Sequence, residues 1–176
     1  MIETLISSKT RIKLLLKFFL NSSTTAYLRG LEEEFGESTN SIRLELNRFE
    51  KAGFLESHSQ ANKKVFQVNA KHPLFKDINS MVLKLVGLDH VIDYVIKHMG
   101  DLKKVYLVGS LSNGKNSENI DLVLIGDINE VFLKELIVKA EKKIHKTINY
   151  INYKESDFKL KNITEQGISP LLLWSK

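Results

Sequence analysis

Apolar residues recur at helical spacing three times in the first fifty positions. Ile12, Leu15, Leu16 and Phe19 predict a helix over residues 9–20, with Ser8 as its cap. Asn21-Ser22-Ser23 breaks that pattern. A second helix is predicted from about Thr25 to Phe35, with Leu28, Leu31 and Phe35 inward and Gly36 as its stop. Ser38 or Thr39 can cap a third, which runs to about Ala52 with Ile42, Leu46 and Phe49 inward, and Gly53 ends it. The period then changes. Phe54 to His58 and Lys64 to Val68 read as two strands joined by a polar tip, Ser59 to Lys63.

Past His72-Pro73 the helical period returns in Leu74, Ile78, Met81, Val82 and Leu85. Beyond Gly87 it repeats in Leu88, Val91, Ile92, Val95, Ile96 and Met99. A strand follows over Lys103 to Val108, then a Gly109-Ser110 turn, a polar loop and a strand over Ile120 to Ile125. The next helix is predicted from Glu130 to about His145, with Val131, Leu133, Ile137, Ala140 and Ile144 inward, and a strand over Thr147 to Tyr153 follows it. The charged segment to Lys161 reads as a last short helix, and Pro170 to Trp174 as a closing strand or docked tail.

Composition narrows the function classes. The chain has 176 residues and no cysteine. Disulfides, thiolate metal sites and a cysteine nucleophile are therefore excluded, and a reducing, cytoplasmic setting is expected. Net charge is +5, and the part up to Gly87 carries most of the excess, so an anionic partner is expected there. Lys9 to Leu20 has the look of a signal peptide, but Lys17 interrupts its apolar run and no small-residue cleavage site follows. No stretch is long enough to span a membrane, so no membrane partner is expected. His58, His72, His90, His98 and His145 show no paired spacing and are read as structural or surface groups.

The third helix presents Ser38, Thr39, Asn40, Ser41, Arg43 and Asn47 on its first turn and outer face. Arg and Asn can read base edges bidentately in the major groove, and hydroxyls near a helix start suit phosphate. Lys63 and Lys64 at the strand tip could reach the adjacent backbone. Arg48 and Lys51 have Glu45 and Glu50 as alternative partners, and the acidic run Glu32-Glu33-Glu34 would have to point away from phosphate. Three short helices followed by a hairpin, with the segment STNSIRLELNRFEKAGFLE, resemble the winged helix-turn-helix of small bacterial and archaeal regulators of the ArsR and MarR type. The resemblance implies double-stranded DNA as partner and a two-fold homodimer, with the helix after His72-Pro73 as the favoured dimer surface.

In the second half, Asn119 and Asp121 share one face of a strand, facing a Gly-Ser turn. At GSLSNGKNSENIDLVLIG the chain resembles the minimal nucleotidyltransferase fold, in which Gly-Ser is followed by a spacer and Ser-Asp-Ile-Asp-Leu. Gly109, Ser110, Gly114, Ile120, Asp121 and Leu122 match that pattern in order and spacing. The fusion is also similar to a prokaryotic group of winged-helix proteins with such a domain, usually described as transcriptional regulators. Asn119 departs from the pattern where the family has its first aspartate, Asn113 where it has an arginine, and Asn149 marks the strand where a third carboxylate belongs. An amide offers a cation an oxygen but no charge, so two-metal catalysis is not expected.

The fold class expected is α+β: a winged helix-turn-helix DNA-binding domain over residues 1–70, a connector helix over 71–87, and a small α/β nucleotidyltransferase-like domain with a mixed sheet over 88–176. The function expected is a dimeric, sequence-specific DNA-binding regulator whose second domain is catalytically inactive. No catalytic residue, metal or cofactor is expected in it. Gly109, Ser110 and Asp121 are the candidates for holding a nucleotide or phosphate, and a protein ligand is the other option. The rivals are a nucleotidyltransferase using Mg2+ at Asp121, and an antitoxin-like partner protein.

Overall fold

A computed structural model describes residues 2–164 and 170–176. The chain is a mixed α and β structure with two sheets. It divides into two compact units, Met1–Val82 and Leu83–Lys176.

In the first unit, α1 (Ile2–Leu5) precedes α2 (Lys9–Phe19), whose N-cap Ser8 accepts a hydrogen bond from the Arg11 N–H at 3.2 Å. β1 (Thr25–Tyr27) leads into α3 (Leu28–Phe35), which Gly36 closes at φ 63°. α4 (Thr39–Lys51) is capped by Ser38. β2 (Leu55–Gln60) and β3 (Lys63–Val68) form the hairpin. The sheet order is β1-β3-β2, all antiparallel. Two expectations change here. The second helix does not begin at Thr25, because Thr25, Ala26 and Tyr27 pair with Gln67, Phe66 and Val65. A ladder to β3 supplies hydrogen bonds that an isolated helical turn could not match. The hairpin tip is also shorter than Ser59 to Lys63. Gln60 pairs with Lys63 across Ala61-Asn62, both at positive φ, the two-residue turn that matches strand twist.

Leu14, Phe18, Leu31, Ile42 and Leu46 are buried between the three helices. The Phe19 ring centroid lies 6.4 Å from Phe49, 6.1 Å from Phe54 and 6.0 Å from Phe75. His72 packs on Phe54 at 4.3 Å and accepts the Leu74 N–H at Nδ1, a structural use of that ring. Ion pairs join α2 to α3, to α4 and to the turn between them, and one lies within α4. Buried Lys17 reaches Glu34 at 2.8 Å, which turns one member of the acidic run inward. Arg11 reaches Glu45 at 2.9 Å, Arg48 reaches Glu45 at 2.7 Å, and Lys13 reaches Glu37 at 2.6 Å.

These pairs set a pH dependence. Burial pushes the Glu45 carboxyl up, but the Arg11 hydrogen bond and the Arg11 and Arg48 charges outweigh it, so it titrates below its ordinary 4.5. Burial likewise pushes Glu37 up, and hydrogen bonds from Lys13 and Thr10 bring it below 4.5. A carboxyl depressed in the folded state adds stability above its unfolded pKa and loses it as pH falls through the folded one. Urea midpoints of the first unit should therefore hold from neutrality to about pH 5 and fall below the 4.5 of the free groups. Glu45→Gln should flatten the fall, and an equally steep fall in that variant would refute the assignment.

The second unit opens in α5 (Phe75–Val86), within which the boundary between the units falls. Gly87, at φ 84°, caps α6 (Leu88–His90), which continues through a π turn over Val91–Val95 and a 3-10 turn over Ile96–His98. The sequence predicts one regular helix there. Val91, Val95, Ile96 and Met99 are buried, as their helical spacing requires, although the turns that carry them are irregular. The four-stranded sheet runs β6 (Thr147–Tyr153), β5 (Asn119–Gly126), β4 (Leu102–Val108) and β7 (Leu171–Ser175). β4 pairs antiparallel with β5 and β7, and β5 pairs parallel with β6, so this sheet is mixed. Pro170 to Trp174 thus closes the unit largely as a strand.

α7 (Gly109–Ser112) is a single turn where the sequence suggests a Gly-Ser turn. α8 (Glu130–Ile144) is capped by Asn129 and buries Leu133, Leu136, Ile137 and Ala140. Val131, expected inward, is 71% exposed because it lies two residues off that stripe. Ile144 is half-buried against Gly87, where an added Cβ would lie 3.0 Å from its own. The charged segment forms only a 3-10 turn, Leu160–Asn162.

Candidate functional site

Among the described residues, one concavity in each unit gathers residues that the sequence marks as candidates. In the first, α4 turns its outer face to solvent. Ser38 and Ser41 are committed to each other: Ser38 Oγ accepts the Ser41 N–H at 3.2 Å, and the two hydroxyls lie 2.8 Å apart. Thr39 is half-buried, and Asn40, Arg43 and Asn47 are exposed. Arg43 and Asn47, one turn apart on α4, line a concavity of about 610 Å³. Arg29 of α3 and Lys63 and Lys64 of the hairpin share that lining, with Tyr27 and Phe66 among its walls.

The two lysines differ. Lys63 Nζ stands 4.2 Å from the Tyr27 ring centroid, a contact that leaves its charge available to an anion. Lys64 Nζ is 2.7 Å from Glu50, and that hydrogen bond, followed by one from Ser57, holds the Glu50 carboxyl below 4.5. Arg48 is paired to Glu45 and does not line the groove. Arg29 was not legible as a site residue. Nothing in its local spacing marks it, and only the packing of β1 and α3 beside the hairpin brings it to the groove.

The concavity in the second unit measures about 440 Å³ and is lined by Gly109, Asp121, Asn149, Tyr153, Asn162 and Ile163 among others. The parallel β5/β6 register sets Asp121 opposite Asn149, and Asn149 Nδ2 donates to Asp121 Oδ1 at 2.9 Å. Gly109 sits at φ 73°, and a Cβ there would collide with Asp121 Oδ2, so the carboxylate lies flat against bare backbone. Asn119, two residues earlier on β5, is exposed and pairs with Thr147. Ser110 is exposed and is not among the lining residues, whereas buried Ser112 donates to the Gly109 carbonyl at 2.8 Å. Phe158 stacks on Tyr106 at 5.8 Å and meets Tyr153 edge-on at 5.8 Å. Tyr153, Phe158 and Asn162 were not among the candidate site residues that the sequence offers.

For a divalent cation this lining offers one carboxylate, Asp121, and the Asn149 amide N–H already occupies one of its lone pairs. Among the described residues, no group of three or more His, Cys, Asp or Glu side chains could hold a metal ion. No helix among them is long and apolar enough to cross a membrane.

No family model matches the chain, and no curated protein does. A crystal structure of a predicted DNA-binding transcriptional regulator from E. coli is similar over 49% of this chain and 84% of that one, with 17% identity and a TM-score of 0.38. The function is therefore derived from the chemistry of the two surfaces.

Proposed function

We propose that this chain is a dimeric, sequence-specific DNA-binding transcriptional regulator of the cytoplasm, with a catalytically inactive nucleotidyltransferase-like second unit that senses a ligand. The observation that carries the DNA reading is the basic groove along α4, where Arg43 and Asn47 stand beside Arg29 and Lys63. An exposed Arg and Asn one helical turn apart have the chemistry to read neighbouring base edges. Arg29 and Lys63 flank them with charges suited to phosphate. In a two-fold dimer the paired α4 helices would enter successive major grooves about 34 Å apart, and α5 is the surface favoured for pairing.

The test is selection of DNA from genomic fragments at several salt concentrations. Sequence-selective binding is expected. Arg43→Ala should cost about 1–3 kcal/mol and relax preference at one base position. Binding that is non-selective and abolished by modest salt would reject the regulator. The rival, a metal-dependent nucleotidyl transfer, is weakened by the amide facing Asp121. Transfer of labelled nucleotide, lost on Asp121→Ala, would revive it.

A further inference from the structure

We infer that the concavity beside Asp121 binds a small organic cation, an amine or amidine carried on a flat apolar body, and not a phosphate or a nucleotide's phosphate tail. The inference deepens the ligand-sensing half of the proposed function and rests on it, but it does not depend on DNA binding. Three observations carry it.

The first is charge. Asp121 is the one ionisable carboxylate among the described residues lining the concavity, and none of them is basic. A phosphate needs compensating cations or a run of free N–H donors. Lys115, the nearest cation in sequence to α7, is exposed and is not a lining residue.

The second is acceptor capacity. An ionised carboxylate has about four lone-pair sites, and Asn149 fills one of them on Oδ1. Because Asn149 spends Nδ2 on Asp121, its carbonyl oxygen remains as a second acceptor at the same place. Asn162 adds another amide to the lining. A protonated amine with two or three N–H donors complements that arrangement.

The third is the wall. Tyr153, braced edge-on by Phe158, lines the concavity together with Ile163 and Val108. Aromatic faces attract cations and pack against flat rings. A volume of about 440 Å³ suits one ring with a short aminoalkyl or amidine arm.

The experiment uses the full chain. 2-Phenylethylamine and benzamidine are titrated by calorimetry and by NMR, with inorganic pyrophosphate and AMP as the contrasting probes. Saturable binding of at least one organic cation is expected, with shifts at Gly109, Asp121, Asn149 and Tyr153. Asp121→Asn should weaken it about tenfold or more, the loss expected when a charge-assisted hydrogen bond becomes a neutral one. The wild-type NMR map decides the site even if that variant folds poorly.

Pyrophosphate or AMP shifting the same residues while both cations leave them unmoved would overturn the inference. So would binding of neither class in a protein whose spectrum is folded. DNA titrations of the same sample score the regulator reading separately, so a DNA-binding protein with an unresponsive second unit would sink this inference alone.

Discussion

Arg29→Ala, Arg43→Ala and Lys63→Ala in one chain should lower DNA affinity by about 10²–10³-fold near 0.1 M salt, because two phosphate contacts, each contributing a log–log salt slope of roughly 0.9, and one base contact are lost together. The slope itself should fall by roughly 2, one each for the phosphates that Arg29 and Lys63 would leave without a cation. All three residues line the groove, and none of them takes part in the ion pairs that link α2 to α3 and α4. Folding stability should therefore change little, which urea denaturation checks. Lys64→Ala is the internal control. Its ammonium already sits 2.7 Å from Glu50, so removing it breaks a protein ion pair and takes little from the DNA, and it should cost less than any of the three. Equal losses for Lys64→Ala and the triple variant would mean that the groove is not the contact surface. An unchanged salt slope in the triple variant would mean the same.

The helical frame of the first unit could be read from the chain because it is local. Ser8 caps the helix it was expected to cap, Ser38 rather than Thr39 caps α4, and Leu46 and Phe49 face inward as their period requires. What escaped was decided by partners distant in sequence. Thr25 to Tyr27 form a strand only because β3, some forty residues on, offers a ladder. Arg29 joins the groove for the same reason. In the second unit the positions of Gly109 and Asp121 were legible from spacing. The hydrogen bond from Asn149 to Asp121 depends on the parallel register of β5 and β6, which no local pattern encodes. Ser110 shows the reverse case: it fits a motif, yet the one-turn helix leaves it off the concavity's lining. Val131 was misplaced by counting apolarity without phase, since the buried stripe of α8 starts at Leu133.

That register makes Asn119→Asp/Asn149→Asp the most informative change in the second unit. It would set three carboxylates on one face: residues 119 and 121 alternate along β5, and residue 149 stands opposite Asp121. Without a cation the variant exchanges the 2.9 Å amide–carboxylate bond for a like-charge contact. Because the bond is exposed to solvent, a loss of up to about 1 kcal/mol at neutral pH is expected from that exchange. Repulsion raises the folded pKa of one carboxyl, so the sign is opposite to that of Glu45. Stability should recover as pH falls and the shared site takes up a proton. Millimolar Mg2+ or Mn2+ should restore it too, by about 2.7 kcal/mol at a hundred times the dissociation constant. The wild-type chain, with an amide facing Asp121, should show no cation-dependent shift in Tm beyond that of KCl at equal ionic strength. A wild-type shift as large as the variant's would mean that Asp121 already holds a cation, which would favour the rival, nucleotidyl transfer, and remove the organic-cation site. A variant that neither loses stability at neutral pH nor regains it with cation would mean that residues 121 and 149 do not face each other, and the register on which the second unit's site depends would fall with it.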